Sequence, residues 1–199
     1  GLLEAECRTM LEAFTKFVAQ GVPFVTLKLA ATLDGKIAAG SGDSQWVSGA
    51  PARRLVQRWR NEMDAVLVGA ATARADNPQL TCRIAGGRNP YRVVLDGRLR
   101  LPLTARLLKH ADADKTIIAT AAGAPAAKVR ALEARGARVW RLPVRGFQVT
   151  WRPLLRKLAD QGIVSLLIEG GAAVAASALK QGVVDKLEFF YAPKIIGGD

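Results

Sequence analysis

Residues 65–68, 116–120 and 165–168 are short, continuous apolar runs, each too short for a helix that buries itself. Such runs mark strands covered on both faces, the habit of a parallel sheet. Residues 24–30, 91–95, 139–142 and 187–191 read as further strands from their β-branched and aromatic content. Between them stand helical patterns. One runs over 3–20, carrying Leu3, Met10, Leu11, Phe14 and Phe17. Another runs to Glu62, with Ser48 as N-cap, Pro51 in its first turn and Leu55, Val56, Trp59 and Met63 inward. The stretches 125–135, 151–161 and 172–181 are each halted by a glycine, at Gly136, Gly162 and Gly182. Strand and helix in alternation give an α/β fold with a largely parallel sheet, and no internal repeat interrupts it.

In such a sheet the ends of the strands handle ligands. Three strand ends here have the right composition. Residues 27–46, LKLAATLDGKIAAGSGDSQW, pass from a strand into the Asp34-Gly35 turn, present Lys36, cross a Gly/Ser-rich loop and close on Trp46. The run 65–68 ends in Gly69, Ala70, Ala71 and Thr72. The run 165–168 ends in Glu169-Gly170-Gly171 and opens a helix of small residues. Glycines there let backbone N–H groups approach an anion, and the helix N-terminus adds favourable dipole charge. Two such ends in one sheet suit a long ligand lying across them. The G-x-G-x-x-G fingerprint and the P-loop string are both absent.

Charge and composition narrow the ligand. The chain of 199 residues carries a formal charge of +12, spread without a tail or block. That balance attracts anions, and with no nucleic-acid recognition string it favours phosphate-bearing small molecules. Arg60 and Arg83 are candidate phosphate clamps. Asp76, in the Arg74-Ala75-Asp76-Asn77-Pro78 loop, is placed to cap backbone or orient a ligand. Cys7 and Cys82 are far apart and His110 is the single histidine, which argues against a transition-metal site, a disulfide framework or a hydrolytic triad. No apolar run reaches the ~20 residues of a membrane span, so a cytoplasmic protein is expected.

Leu27-Lys28-Leu29-Ala30, Leu33-Asp34-Gly35-Lys36 and Ser41-Gly42-Asp43-Ser44-Gln45-Trp46 resemble the reductase domain of the bifunctional riboflavin-biosynthesis deaminase/reductase. So do the stretch from Ala75-Asp76-Asn77-Pro78 to Leu80-Thr81-Cys82-Arg83, then Val93-Val94-Leu95-Asp96, Glu169-Gly170-Gly171, and the run from Ala192-Pro193-Lys194 to Gly198. The resemblance implies a dihydrofolate-reductase-like, mixed but mostly parallel sheet flanked by helices. It implies reduction of 5-amino-6-(5-phosphoribosylamino)uracil to the ribitylamino compound with NADPH, and a homo-oligomer when full length, with neither nucleic acid nor membrane as partner. By that resemblance Ala30, Trp46, Thr72 and Asp76 contact NADPH, and Gly171, Ala172, Ala173, Val174, Ala175, Ala176 and Ser177 hold its pyrophosphate. Ser44, Arg60, Leu80, Arg83 and Glu169 bind the substrate. Lys36 and Glu169, with Asp76 nearby, flank the reacting ribose end.

The resemblance further divides the chain into 1–20, similar to the end of a preceding deaminase domain, and 21–199, a reductase domain lacking its last strands. Gly97 departs from the family pattern, which has Ser or Thr after that aspartate. Ser48 stands where Thr is common. Two other readings exist. A non-catalytic basic phosphate-ligand or RNA-binding module accounts for the charge but not for the glycine-rich strand ends. A sister reductase acting on a pteridine does not account for the first 17 residues.

Overall fold

The computed structural model describes residues 1–37 and 49–197. Its centre is a seven-stranded sheet whose recorded pairings are all parallel. In chain order the strands are β1 (Phe24–Thr32), β2 (Ala65–Gly69), β3 (Tyr91–Leu95), β4 (Thr116–Ala121), β5 (Arg138–Leu142), β8 (Ser165–Gly170) and β9 (Lys186–Ala192). They lie side by side as β5-β4-β3-β2-β8-β1-β9. The expected mixture of directions is confined to a separate antiparallel hairpin, β6 (Val144–Arg145) with β7 (Gln148–Val149).

The apolar runs are buried because both faces are covered. On one face α6 (Trp151–Ala159) and α7 (Ala172–Lys180) pack Trp151, Leu154, Leu158 and Ala178 against Leu27, Leu67 and Ile168. On the other, α3 (Ala50–Glu62), α4 (Ala70–Ala75) and α5 (Ala126–Glu133) pack with Leu99, Leu101 and Leu107 against Val66, Val94 and Ile118. Side chains alternate faces along each strand, so neighbours in sequence enter opposite cores.

Four local readings change. The helix over 3–20 is two, α1 (Glu4–Met10) and α2 (Glu12–Gln20), meeting at Leu11. Leu3, Met10 and Phe14 of its apolar stripe are exposed. The N-cap of α3 is Gly49, and Ser48 lies outside the described residues. Residues 70–75 form a short helix rather than the start of a loop. The β6–β7 hairpin had no counterpart in the sequence reading.

A buried charge fixes the end of the sheet opposite the strand termini that matter below. Arg92, fully buried in β3, donates to the Thr116 hydroxyl at 3.0 Å, to the Asp112 carboxylate at 2.9 Å, and to the Asp112 carbonyl. Burial pushes the Asp112 carboxyl up, but the Arg92 hydrogen bond and charge prevail and hold it below the usual value of 3.8. Removing one partner of such a pair strands the other charge. Asp112→Ala should cost on the order of 3 kcal/mol, read as a fall in melting temperature. The sign with pH follows. The stabilisation is complete above 3.8, the unfolded value, and is lost as pH falls through the lower folded value, so the gap between wild type and variant should close in strong acid.

Candidate active site

A cleft of about 1430 Å³ crosses the carboxyl ends of β1, β8, β2 and β3. Single-ligand sites run to roughly 1,000 Å³, so this volume suits two ligands side by side. Among the described residues, eight basic side chains line it: Lys28, Arg53, Arg54, Arg60, Arg74, Arg83, Arg98 and Arg100. Three carboxylates answer them: Asp76, Asp96 and Glu169. A cleft with that excess of cations concentrates anionic ligands.

The site is built from strand ends. In β8 the pairing with β2 steps from Leu67↔Ile168 to Val68↔Gly170, so Glu169 is the extra residue of a bulge. Bulges re-aim side chains and cluster beside active sites. Arg60, from the last turn of α3, meets Glu169 with two parallel bonds of 2.6 Å and donates a third to the Thr81 carbonyl at 3.2 Å. Both side chains are only 11% exposed. Burial works against the Arg60 charge, yet Glu169 outweighs it and raises the guanidinium pKa above its ordinary value. Lys28 in β1 projects from the neighbouring strand into the field of this pair, over the Phe190 ring at 5.6 Å. Burial lowers its pKa below the usual 10.5. Glu169 pulls it back up and Arg60 pushes it further down.

The helix α7 begins where β8 ends. Gly171 has φ 91°, and a Cβ there would come within 3.0 Å of the Thr72 hydroxyl. At Gly69 a Cβ would lie 2.7 Å from a Val174 methyl. Glycine at both positions therefore brings the α7 N-terminus against the end of β2, and its first-turn residues Ala172 and Ala173 line the cleft.

Most expected site residues converge here. Ala30, Thr72, Asp76, Leu80, Arg83, Arg60, Glu169, Gly171, Ala172, Ala173, Val174 and Ser177 line the cleft. Ala175 and Ala176 do not; Ala175 is buried in the core beneath α7. Ser44 and Trp46 lie outside the described residues. The described geometry adds two relations that the sequence reading did not contain. The partner of Glu169 is Arg60, and the lysine in its field is Lys28. Lys36 is not among the lining residues, and its recorded contacts run back to Thr32, where its backbone N–H donates to the hydroxyl at 3.0 Å. The Arg60 fork is occupied by Glu169 rather than presented to a phosphate. Sequence reasoning missed Lys28. Its signal was a cation between leucines in a strand covered on both faces, a place a charge occupies only with a partner. Among the described residues no group of three His, Cys, Asp or Glu could hold a metal ion, and no helix is long and apolar enough to cross a membrane.

A parallel sheet with a cleft over its carboxyl edge and a glycine-opened helix at the centre defines an α/β protein with its crevice at the strand ends. The chain belongs to the RibD C-terminal domain family, whose model matches residues 23–199. It is 42% identical over 199 residues to the riboflavin biosynthesis protein RibD of Bacillus amyloliquefaciens, spanning all of this chain and 53% of that protein. The chain thus spans about half the length of the curated relatives it matches. A deaminase/reductase structure from Thermotoga maritima superposes with a TM-score of 0.82 at 37% identity, over 100% of this chain and 52% of that one. RibD of Acinetobacter baumannii superposes with a TM-score of 0.86 at 32% identity, over 100% and 54%. The fold is the dihydrofolate-reductase-like fold of these structures.

The cluster predicts its own titration. Glu169→Gln should lower the Lys28 pKa further, and Arg60→Met should raise it, because the variants remove opposite influences. NMR titration of the Lys28 side-chain nitrogen reads both shifts.

Proposed function

We propose that this chain carries an NADPH-dependent reductase activity that converts 5-amino-6-(5-phosphoribosylamino)uracil to 5-amino-6-(5-phosphoribitylamino)uracil. The observation that carries the reading is the Lys28–Glu169–Arg60 cluster at the end of a two-ligand cleft, beside a helix N-terminus suited to a pyrophosphate. Family membership supports it.

When bound, a reduced nicotinamide supplies hydride. The opened substrate is an imine, and reduction at C1′ leaves its nitrogen in need of one proton. Lys28 holds that proton on an ammonium whose pKa is depressed by burial, which makes it a better donor than an ordinary lysine. Glu169 keeps Lys28 charged and, oriented by Arg60, accepts hydrogen bonds from substrate hydroxyl or amine groups. Asp76 and Thr72 supply acceptor and donor groups along the cofactor side, with Ala30 giving it close backbone approach. Gly171, Ala172 and Ala173 present N–H groups to the pyrophosphate. The substrate phosphate falls to Arg83, which is exposed at the cleft wall, together with Arg54 from α3, while Leu80 covers the ring. Most of the rate is expected to come from orientation of the two ligands rather than from covalent work by the protein.

The direct test is turnover of the ribosylaminouracil phosphate with NADPH by the purified chain; its absence in folded protein refutes the reading. Within it, Arg83→Ala should raise KM about tenfold or more and leave kcat within a few-fold, because phosphate binding is the same in ground and transition states. An unchanged KM would remove Arg83 from the phosphate site.

A further inference from the structure

The cleft has a second end, distant from the Lys28 cluster. From β1 through β8 and β2 to β3 is three inter-strand steps, about 14 Å. Here β3 gives way to a loop with unusual construction. The buried Asp96 carboxylate accepts from the Leu101 N–H at 2.7 Å, and its carbonyl accepts from the Leu99 N–H at 2.9 Å. Leu99 sits at φ 50° with its side chain buried, a backbone state costly for leucine. Leu99 and Leu101 point into the core, so the alternating Arg98 and Arg100 are turned outward, and both line the cleft.

The hairpin seats on this loop. Its two-residue turn has Gly146 at φ 61° and Phe147 at the tip. A Cβ built on Gly97 would lie 1.9 Å from the Phe147 carbonyl oxygen, so only glycine admits the hairpin backbone at this point. Phe147 as a residue remains 61% exposed. The Arg98 guanidinium lies over it, 3.7 Å from its centroid. Phe147 and Gln148 line the cleft with the two arginines.

We propose that Arg98, braced on Phe147 and seconded by Arg100, is the specificity element that reads the adenosine 2′-phosphate and selects NADPH over NADH. This rests on the reductase reading. With the reacting end at Lys28 and Glu169 and the pyrophosphate at α7, a dinucleotide lying along the cleft delivers its adenosine to the end of β3. A guanidinium fixed on an aromatic face has already lost its rotamer freedom, so it binds a phosphate dianion at less entropic cost than a loose arginine. Asp96, the carboxylate of this loop, is held by the Leu101 N–H and is outnumbered by Arg98 and Arg100.

The test is fluorescence titration of NADPH and of NADH into wild type, Arg98→Ala and Phe147→Ala, with 2′,5′-ADP and 5′-AMP as competitors. Arg98→Ala should weaken NADPH and 2′,5′-ADP roughly tenfold or more, the worth of one charge-assisted bond, and leave NADH and 5′-AMP within twofold. Phe147→Ala should weaken NADPH by a smaller factor, and the double variant should match Arg98→Ala because the two act as a unit. Thermal melts certify that each variant is folded, and Arg98→Lys, which keeps charge but not the stacked plane, should fall between. Equal weakening of both dinucleotides, or no weakening, overturns the assignment while leaving the reductase reading intact. Failure of the wild type to bind either dinucleotide overturns both.

Discussion

A carboxylate at the end of a central parallel strand has nowhere to spread its charge, and in this protein Arg60 resolves that for Glu169. The bidentate pair ties three segments together: the bulged end of β8, the last turn of α3 and, through the Thr81 carbonyl, the loop that carries Leu80 and Arg83. Stacking of Trp59 on Phe190 fastens the same helix to β9 on the other side of β1, with ring centroids 5.5 Å apart. Lys28 sits between these two attachments and inherits its electrostatics from both members of the pair. Position of the lysine, wall of the substrate pocket and seat of α3 therefore share one interaction. Whether the pair adds net stability is secondary, since buried ion pairs often do not; its role is placement.

The cleft divides its charge by function. Near Lys28, Arg60 and Glu169 are paired and largely buried, and both act on the lysine's charge. Along the walls Arg54 and Arg83 are exposed, and at the far end Arg98 is held by an aromatic ring. Helix α7 lies between, brought close by glycines at positions 69 and 171, where a methyl group would meet Val174 or Thr72. Part of the formal charge of +12 is thus gathered at the cleft, beyond the ordinary solvated surface it also supplies.

Much of the fold was legible because burial on both faces leaves a plain mark. The run 91–95 matches β3 residue for residue, and the other strands agree to within two residues at each end. Glycine stops located the helix ends for the same reason, through backbone conformations at Gly136, Gly162 and Gly182 that other residues rarely adopt. The motifs at 69–72 and 169–171 both line the cleft at the carboxyl edge of the sheet. What the sequence withheld was pairing. Nothing in a one-dimensional pattern says that Glu169 meets Arg60, 109 residues earlier, or that Lys28 rather than Lys36 enters their field. Lys36 was named through the family resemblance of the Leu33-Asp34-Gly35-Lys36 turn. Lys28 was passed over because strand alternation hides which face looks toward α3. The hairpin at 144–149 was missed for a related reason: two-residue strands carry too little pattern, although a glycine opening a two-residue turn was a readable sign.

The central claim is that proton delivery belongs to Lys28 and is organised by Glu169 and Arg60. Single-turnover NADPH oxidation by Lys28→Met and Lys36→Met, with substrate saturating and folding verified by melting, tests it most directly. The account predicts a loss of about a hundredfold or more in the hydride-transfer rate for Lys28→Met, with NADPH affinity little changed, and a near-normal rate for Lys36→Met. A near-normal rate in Lys28→Met, or the large loss appearing in Lys36→Met instead, would contradict it.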